Sequence, residues 1–261
     1  MTKQLENLIS LLARTSLNYH DFIHKAYQIE EITEIFDPKD LSMWKLLGLE
    51  IVKLDNTKLT LKTRQRDFID DKFCIVDIET SGSIKSGQII EIGAIKVNLK
   101  SKEIIDRFKT FISAPSIPPE IQELTGISLD DLKDAPPLSY VLEKFRLFLG
   151  TSIFVAHNVR FDYDYISKSM QELGFGILLN RRLCTIDLAR RTIPATKYGL
   201  GSLKEQLNIS GKHHRALNDA ISAWEVLKVS LKQLPWYVQT TEDLITFSKT
   251  AASLKIAAVK E

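Results

Sequence analysis

Two cysteines in 261 residues cannot staple a fold. Both, Cys74 and Cys184, sit in apolar strand-like runs and read as reduced core residues rather than a disulfide framework. No run approaches the roughly 18 consecutive apolar residues that a membrane span needs. The opening MTKQLENLISLLART carries polar and acidic residues inside its apolar stripe and has no small-residue cleavage site, so it is a poor signal peptide. These absences point to a cytoplasmic protein with no membrane partner. Charge of one sign is lacking too: 35 basic residues face 33 acidic ones, so bulk charge does not announce a nucleic-acid partner. There is no internal repeat and no low-complexity stretch. The hydrophobic content of 44% with 26% charged residues is ordinary globular composition, at a length that allows one sizeable core plus a smaller unit.

Periodicity divides the chain into three parts. Residues 1–69 read as a small N-terminal helix and hairpin module. Helical spacing covers 4–13 and 19–30, and a short helix opens at Asp37-Pro38 with Asp37 as its N-cap. Leu49 to Thr63 then alternates apolar and polar around Asp55-Asn56, a hairpin signal, so the module is loosely winged-helix in pattern. Residues 70–232 carry strands at 73–79, 88–98 and 104–112, a helix from Pro137 to Leu149, and a strand at 152–157. A helix from about Val159 to Leu173 follows, then a short strand running into a helix at 181–187, a short helix capped by Ser202, and a long one at 216–232. Three antiparallel strands followed by alternating helix and strand predict an α/β fold, a ribonuclease-H-like mixed central sheet with helices on both faces. Residues 233–261 read as a helical tail, with a helix over 241–258.

Within FCIVDIE, Phe73 to Glu79, two carboxylates interrupt a buried strand. Alternation sends Asp77 and Glu79 to the same face, a few ångströms apart. Like charges so placed call for a counter-charge, and a divalent metal is the simplest. A solvated strand end or a pairing with Lys or Arg stays open at this point. Asp162 falls in the first turn of a helix that follows a strand end, where α/β folds keep their sites, although an acid there also suits the helix dipole. His214 precedes Asp219 by five residues. On one continuous helix that spacing would turn the two apart, so both reach one site more easily if His214 lies on the loop before the helix. Read alone, Asp219 fits a solvated helix residue and His214 a surface basic cluster with His213 and Arg215. His20 and His24 read as surface residues.

These segments, DIETSG, HNVRFD and HRALND, resemble in type and order the three motifs of the DEDDh-type 3′–5′ exonuclease superfamily. The likeness spans about 70–230 and is greatest to the epsilon, proofreading, subunits of bacterial DNA polymerase III. IIEIGAIKV, ELTGI and CTIDLARR flank the motifs in the same way. The resemblance implies that Asp77, Glu79, Asp162 and Asp219 bind two Mg²⁺ or Mn²⁺ ions and that His214 is the general base. The chemistry agrees. Phosphodiester hydrolysis needs an activated water and neutralised oxygens, oxygen ligands suit Mg²⁺ or Mn²⁺, and an imidazole takes a proton near neutral pH. Family likeness places Thr80 at the terminal sugar and 3′-hydroxyl. His157, Asn158 and Phe161 border the second motif as substrate contacts, with helix capping and core packing as the other reading, and Leu124 and Gly126 fall near the terminal base.

The resemblance implies an enzyme that releases nucleoside monophosphates from single-stranded DNA 3′ ends, with a DNA polymerase catalytic subunit as a partner. An RNA 3′–5′ exonuclease has the same motifs, since nothing in the sequence shows what faces a 2′-hydroxyl. A non-catalytic nucleic-acid or polymerase-docking module is the third reading, and retention of all four carboxylates and the histidine argues against it. Gln233-Leu234-Pro235-Trp236-Tyr237 is faintly similar to short segments that bind sliding clamps, with helix-end packing as the other reading.

Overall fold

The computed structural model describes residues 2–211 and 214–254. The N-terminal part is built from α1 (Lys3–Arg14), β1 (Leu17–Asn18), α2 (Tyr19–Tyr27), α3 (Glu30–Thr33), α4 (Leu41–Leu46), β2 (Ile51–Lys53) and β3 (Lys58–Leu61), its strands pairing antiparallel in the order β1-β3-β2. Leu5, Leu12, Phe22, Ile32, Trp44 and Leu59 close its core, which also takes in Ile177 and Leu179 from the larger part. Two expectations are corrected here. The helical stretch from residue 19 breaks after Tyr27, with Gln28 as the C-cap, and resumes as α3. Asp40, not Asp37, caps α4 by accepting from the Ser42 amide at 2.9 Å. Asp37 is engaged elsewhere, accepting from Tyr27 Oη at 2.7 Å and the Lys39 amide at 3.0 Å.

The larger part runs β4 (Phe73–Thr80), β5 (Ile89–Asn98), β6 (Glu103–Phe111), α5 (Pro119–Thr125), α6 (Leu129–Lys133), α7 (Leu138–Leu149), β7 (Ile153–Ala156), α8 (Val159–Glu172), β8 (Arg182–Cys184), α9 (Thr185–Thr192), α10 (Leu200–Gln206), α11 (Ala216–Leu231) and α12 (Thr241–Thr250). The sheet order is β6-β5-β4-β7-β8, antiparallel through β4 and parallel from β4 to β8. This is the expected mixed sheet of a ribonuclease-H-like fold. Strand alternation divides the core. Cys74, Val76 and Ile78 face α7 and α8, whereas Phe73 and Ile75 face α9, α11 and α12. Neither cysteine is in a disulfide.

α10 starts at Leu200 after Gly199 rather than after Ser202, and no side chain caps it. α12 ends at Thr250, where Ala251 turns extended, short of the expected 258; residues 255–258 lie outside those described. Its Leu244 and Ile245 are buried on the main core, so it folds back on the domain. In the connecting segment Leu234 packs against that core while Trp236 is exposed. No described helix is long and apolar enough to cross a membrane.

Candidate active site

β4 pairs with β7 only from Phe73 to Ile75. Beyond that point its carboxyl half overhangs the end of β7, and a cleft of about 460 Å³ opens there. Asp77 and Glu79 sit on this overhang, on the same face as Phe73 and Ile75. α8 begins where β7 ends and delivers Asp162 from its first turn. α11 lies across the face that carries the two strand acids and delivers Asp219, also from its first turn. All four acids line the cleft together with His214. Five residues from four chain segments thus meet at one spot.

His214 lies on the loop before α11, in the left-handed backbone region at φ +59°. Its amide donates to Asp219 Oδ2 at 2.8 Å, tying the loop to the helix it precedes. Glu79, His214 and Asp219 offer potential ligand atoms all within 4.8 Å of one another. His213, the neighbouring histidine, lies outside the described residues.

The electrostatics are those of acids forced together. Burial pushes Asp77 well above the usual carboxylate range, and the charges of Asp162, Glu79, Asp219 and Glu91 add to it. Burial raises Asp162 to about 8, partly opposed by backbone donors that include the Ile78 amide. Glu79 rises to about 7 through burial and the proximity of Asp219 and Glu91, with Arg215 pulling the other way. Lys204, itself buried, holds its ammonium 3.9 Å from Asp219 Oδ1. Clustered carboxylate oxygens of this kind fit a hard divalent cation. Zinc would favour nitrogen and sulfur ligands instead.

The remaining expected contacts differ among themselves. Asn158 is exposed at the cleft in the left-handed N-cap position of α8, with no capping hydrogen bond from its side chain. Phe161 is 43% exposed there and meets Tyr165 edge-on at 5.8 Å. His157 lines the cleft, but both ring nitrogens are engaged by protein, Nδ1 with Thr185 Oγ1 at 2.8 Å and Nε2 with the Tyr198 carbonyl at 2.9 Å. Since a carbonyl only accepts, Nε2 carries the proton and Nδ1 accepts from the threonine. Burial lowers His157 to about 4, so it is a neutral bolt between β7 and the segment before α10. Thr80 donates its hydroxyl to the Gly82 carbonyl at 2.9 Å. Leu124 is exposed on α5 and Gly126 caps that helix; neither lines the cleft.

Leu200, Gly201 and Lys204 escaped the sequence reading, and LGSLK carries no signal that would have found them. Glu91 escaped as well, although a lone acid within IIEIGA is the same signal that exposed Asp77.

The exonuclease family model of the RNase T type matches residues 74–227. A DNA polymerase III of PolC type from Clostridium perfringens is 37% identical over 225 residues, covering 82% of this chain and 15% of its own length. The PolC-type polymerase of Staphylococcus haemolyticus is 36% identical over 195 residues, 72% of this chain and 13% of the relative. The chain therefore spans about 15% of the length of such relatives. Among solved structures, exonuclease X in complex with 5′-overhanging duplex DNA aligns with a TM-score of 0.52 at 24% identity, over 67% of this chain and 99% of that one. E. coli exonuclease I in complex with a dT13 oligonucleotide aligns with a TM-score of 0.56 at 16% identity, over 63% of this chain and 42% of that one.

Proposed function

The chain belongs to the RNase T exonuclease family, as a DEDDh-type 3′–5′ exonuclease related to polymerase proofreading subunits, and from that premise we propose that it trims single-stranded DNA from the 3′ end in the service of a DNA polymerase. The observation that carries this reading is the convergence of Asp77, Glu79, Asp162 and Asp219 with His214 in one cleft. The relatives named as DNA polymerases and the neighbours bound to DNA favour DNA over RNA.

In this reading the four carboxylates hold two divalent ions, Mg²⁺ or Mn²⁺. When bound, the ions neutralise the scissile phosphate, acidify the attacking water and stabilise the departing 3′-oxygen. The protein's own part is orientation and proton transfer. His214 takes the water proton, at a ring held beside Glu79 and Asp219 by its amide contact. Phe161 and Asn158, exposed at the cleft, contact the terminal nucleotide. The product is a nucleoside 5′-monophosphate and a strand one residue shorter.

End-labelled DNA and RNA oligomers, with Mg²⁺ or Mn²⁺ and with EDTA, test the proposal against Asp162→Ala. Stepwise shortening from the 3′ end, faster on DNA and lost in EDTA and in the variant, is the expected result. Equal cleavage by Asp162→Ala removes the assigned site, and a preference for RNA reassigns the substrate.

A further inference from the structure

Glu91 has no exposed surface and lies within an apolar run of β5. A buried carboxylate persists only where its charge is answered. The answer comes from the start of α11. Arg215 Nε donates to Oε2 at 3.3 Å and Nη2 to Oε1 at 3.2 Å, while the Ala216 amide donates to Oε2 at 3.2 Å. A two-pronged guanidinium contact fixes orientation as well as distance, and the added amide fixes the height of the helix start. The Arg215 guanidinium also lies 5.1 Å from the centre of the Phe111 ring. Strand register places Glu91 between Glu79 on β4 and Phe111 on β6, in one cross-strand row.

The residue before Arg215 is His214. A left-handed φ is strained for a side chain other than glycine and persists when the surroundings over-determine it. On one side the His214 amide is bound by Asp219. On the other, the chain passes straight into the Arg215–Ala216 pair gripped by Glu91. We infer that Glu91 is a positioning residue, which through Arg215 and the Ala216 amide holds the backbone that aims the His214 imidazole at Glu79 and Asp219. The inference rests on the nuclease reading of the cleft. It separates Glu91 from the four acids proposed to hold metal: its oxygens are occupied by donors and it does not line the cleft.

The test compares wild type, Glu91→Gln, Arg215→Ala and the double variant of the full chain on 3′-trimmed single-stranded DNA with Mn²⁺. Mn²⁺ binding is measured by calorimetry and folding by thermal melting. Each single variant is expected to lose about 10- to 100-fold in kcat, with KM within about twofold and Mn²⁺ affinity within about threefold of wild type. The double variant is expected to be no slower than the worse single one, because the pair acts as a unit. If Arg215→Ala does not fold, Arg215→Lys, which keeps the charge but loses the fork, takes its place in the same cycle. Wild-type kcat in Glu91→Gln overturns the inference, as do multiplying losses in the double variant. A fall in Mn²⁺ affinity that matches the fall in rate also overturns it, by moving Glu91 into the metal site. A wild-type protein that leaves DNA intact overturns the nuclease reading itself.

Discussion

Asp162 accepts a hydrogen bond from the Ile78 amide through Oδ1 at 3.2 Å, joining the first turn of α8 to the strand residue flanked by Asp77 and Glu79. The bond gives Asp162 two separable jobs. One is to satisfy a buried amide; the other is to bring a negative charge to the cleft. Asp162→Asn keeps an oxygen for Ile78 and removes the charge, whereas Asp162→Ala removes both. Each variant is expected to slow DNA hydrolysis by at least about 100-fold. In EDTA at pH 8.5 they should diverge. The asparagine form is relieved of a buried charge, and with it of the smaller repulsion from Glu79, and melts higher than wild type. The alanine form leaves a buried donor unpaired and loses about 1–3 kcal/mol. An asparagine variant that melts below wild type in EDTA would show that the buried charge of Asp162 is not what destabilises the ionised site.

The same acids set how metal-free stability responds to pH. Asp162 rises from 3.8 to about 8, Glu79 from 4.5 to about 7, and Asp77 also moves upward. A carboxyl whose folded value is raised binds more protons folded than unfolded. Its contribution is therefore complete below the unfolded value and lost as pH climbs through the folded one. The melting temperature in EDTA should decline between about pH 4 and pH 8, and saturating Mn²⁺ should flatten the decline by binding the ionised form. Differential scanning calorimetry in the two buffers reads this directly. Parallel curves with and without metal would detach the carboxylates from ion binding.

His157 is expected to run the opposite way. Its folded value, lowered by burial to about 4, lies below the unfolded value near 6.5. Its contribution is present above the unfolded value and lost as pH falls through about 4. Nitrogen-15 NMR should find the ring neutral down to about pH 5, with the proton on Nε2 as the contact with the Tyr198 carbonyl requires. His157→Gln should melt lower and lose its share of the acid-side destabilisation. A ring that titrates near 6.5 would mean that the bolt between β7 and the α10 approach is open in solution.

Much of this arrangement was legible because acids are conspicuous in apolar strands. Asp77 and Glu79 stand out within FCIVDIE, and period-two alternation alone places them on one face. The His214–Asp219 spacing favours a break before α11, and the break is there. Local cues failed where tertiary contacts decide. Asp37 reads as the cap of the short helix, yet the Tyr27 hydroxyl, ten residues back, engages it, and Asp40 caps α4 instead. Ser202 has the chemistry of a cap, yet α10 starts earlier, where the chain arrives from the Tyr198 carbonyl held by His157. Glu91 looks like an anomaly in β5 until Arg215, 124 residues later, comes to rest against it.

Gly93 makes the last prediction, and its reason is space. It pairs with Asp77 across β4 and β5, on the face that α11 covers. A Cβ built there would fall 2.0 Å from the Leu217 amide nitrogen and 2.2 Å from the Ala216 carbonyl carbon. Both are backbone atoms of the first turn of α11, so no side chain can swing aside, and Gly93→Ala must lift the helix start away from the strand. Overpacking of this kind costs about 1–3 kcal/mol, which a shift in the urea midpoint would report. Because Asp219 rides on that turn and His214 on the loop that leads into it, the fraction still folded should also lose at least about tenfold in rate, as small misplacements of reacting groups do. Gly199→Ala is the control, since a Cβ there meets nothing within 4 Å, and it should stay within about 0.5 kcal/mol of wild type. If Gly93→Ala matched that control in stability and rate, α11 would not be held to β5 closely enough to set the geometry of the cleft.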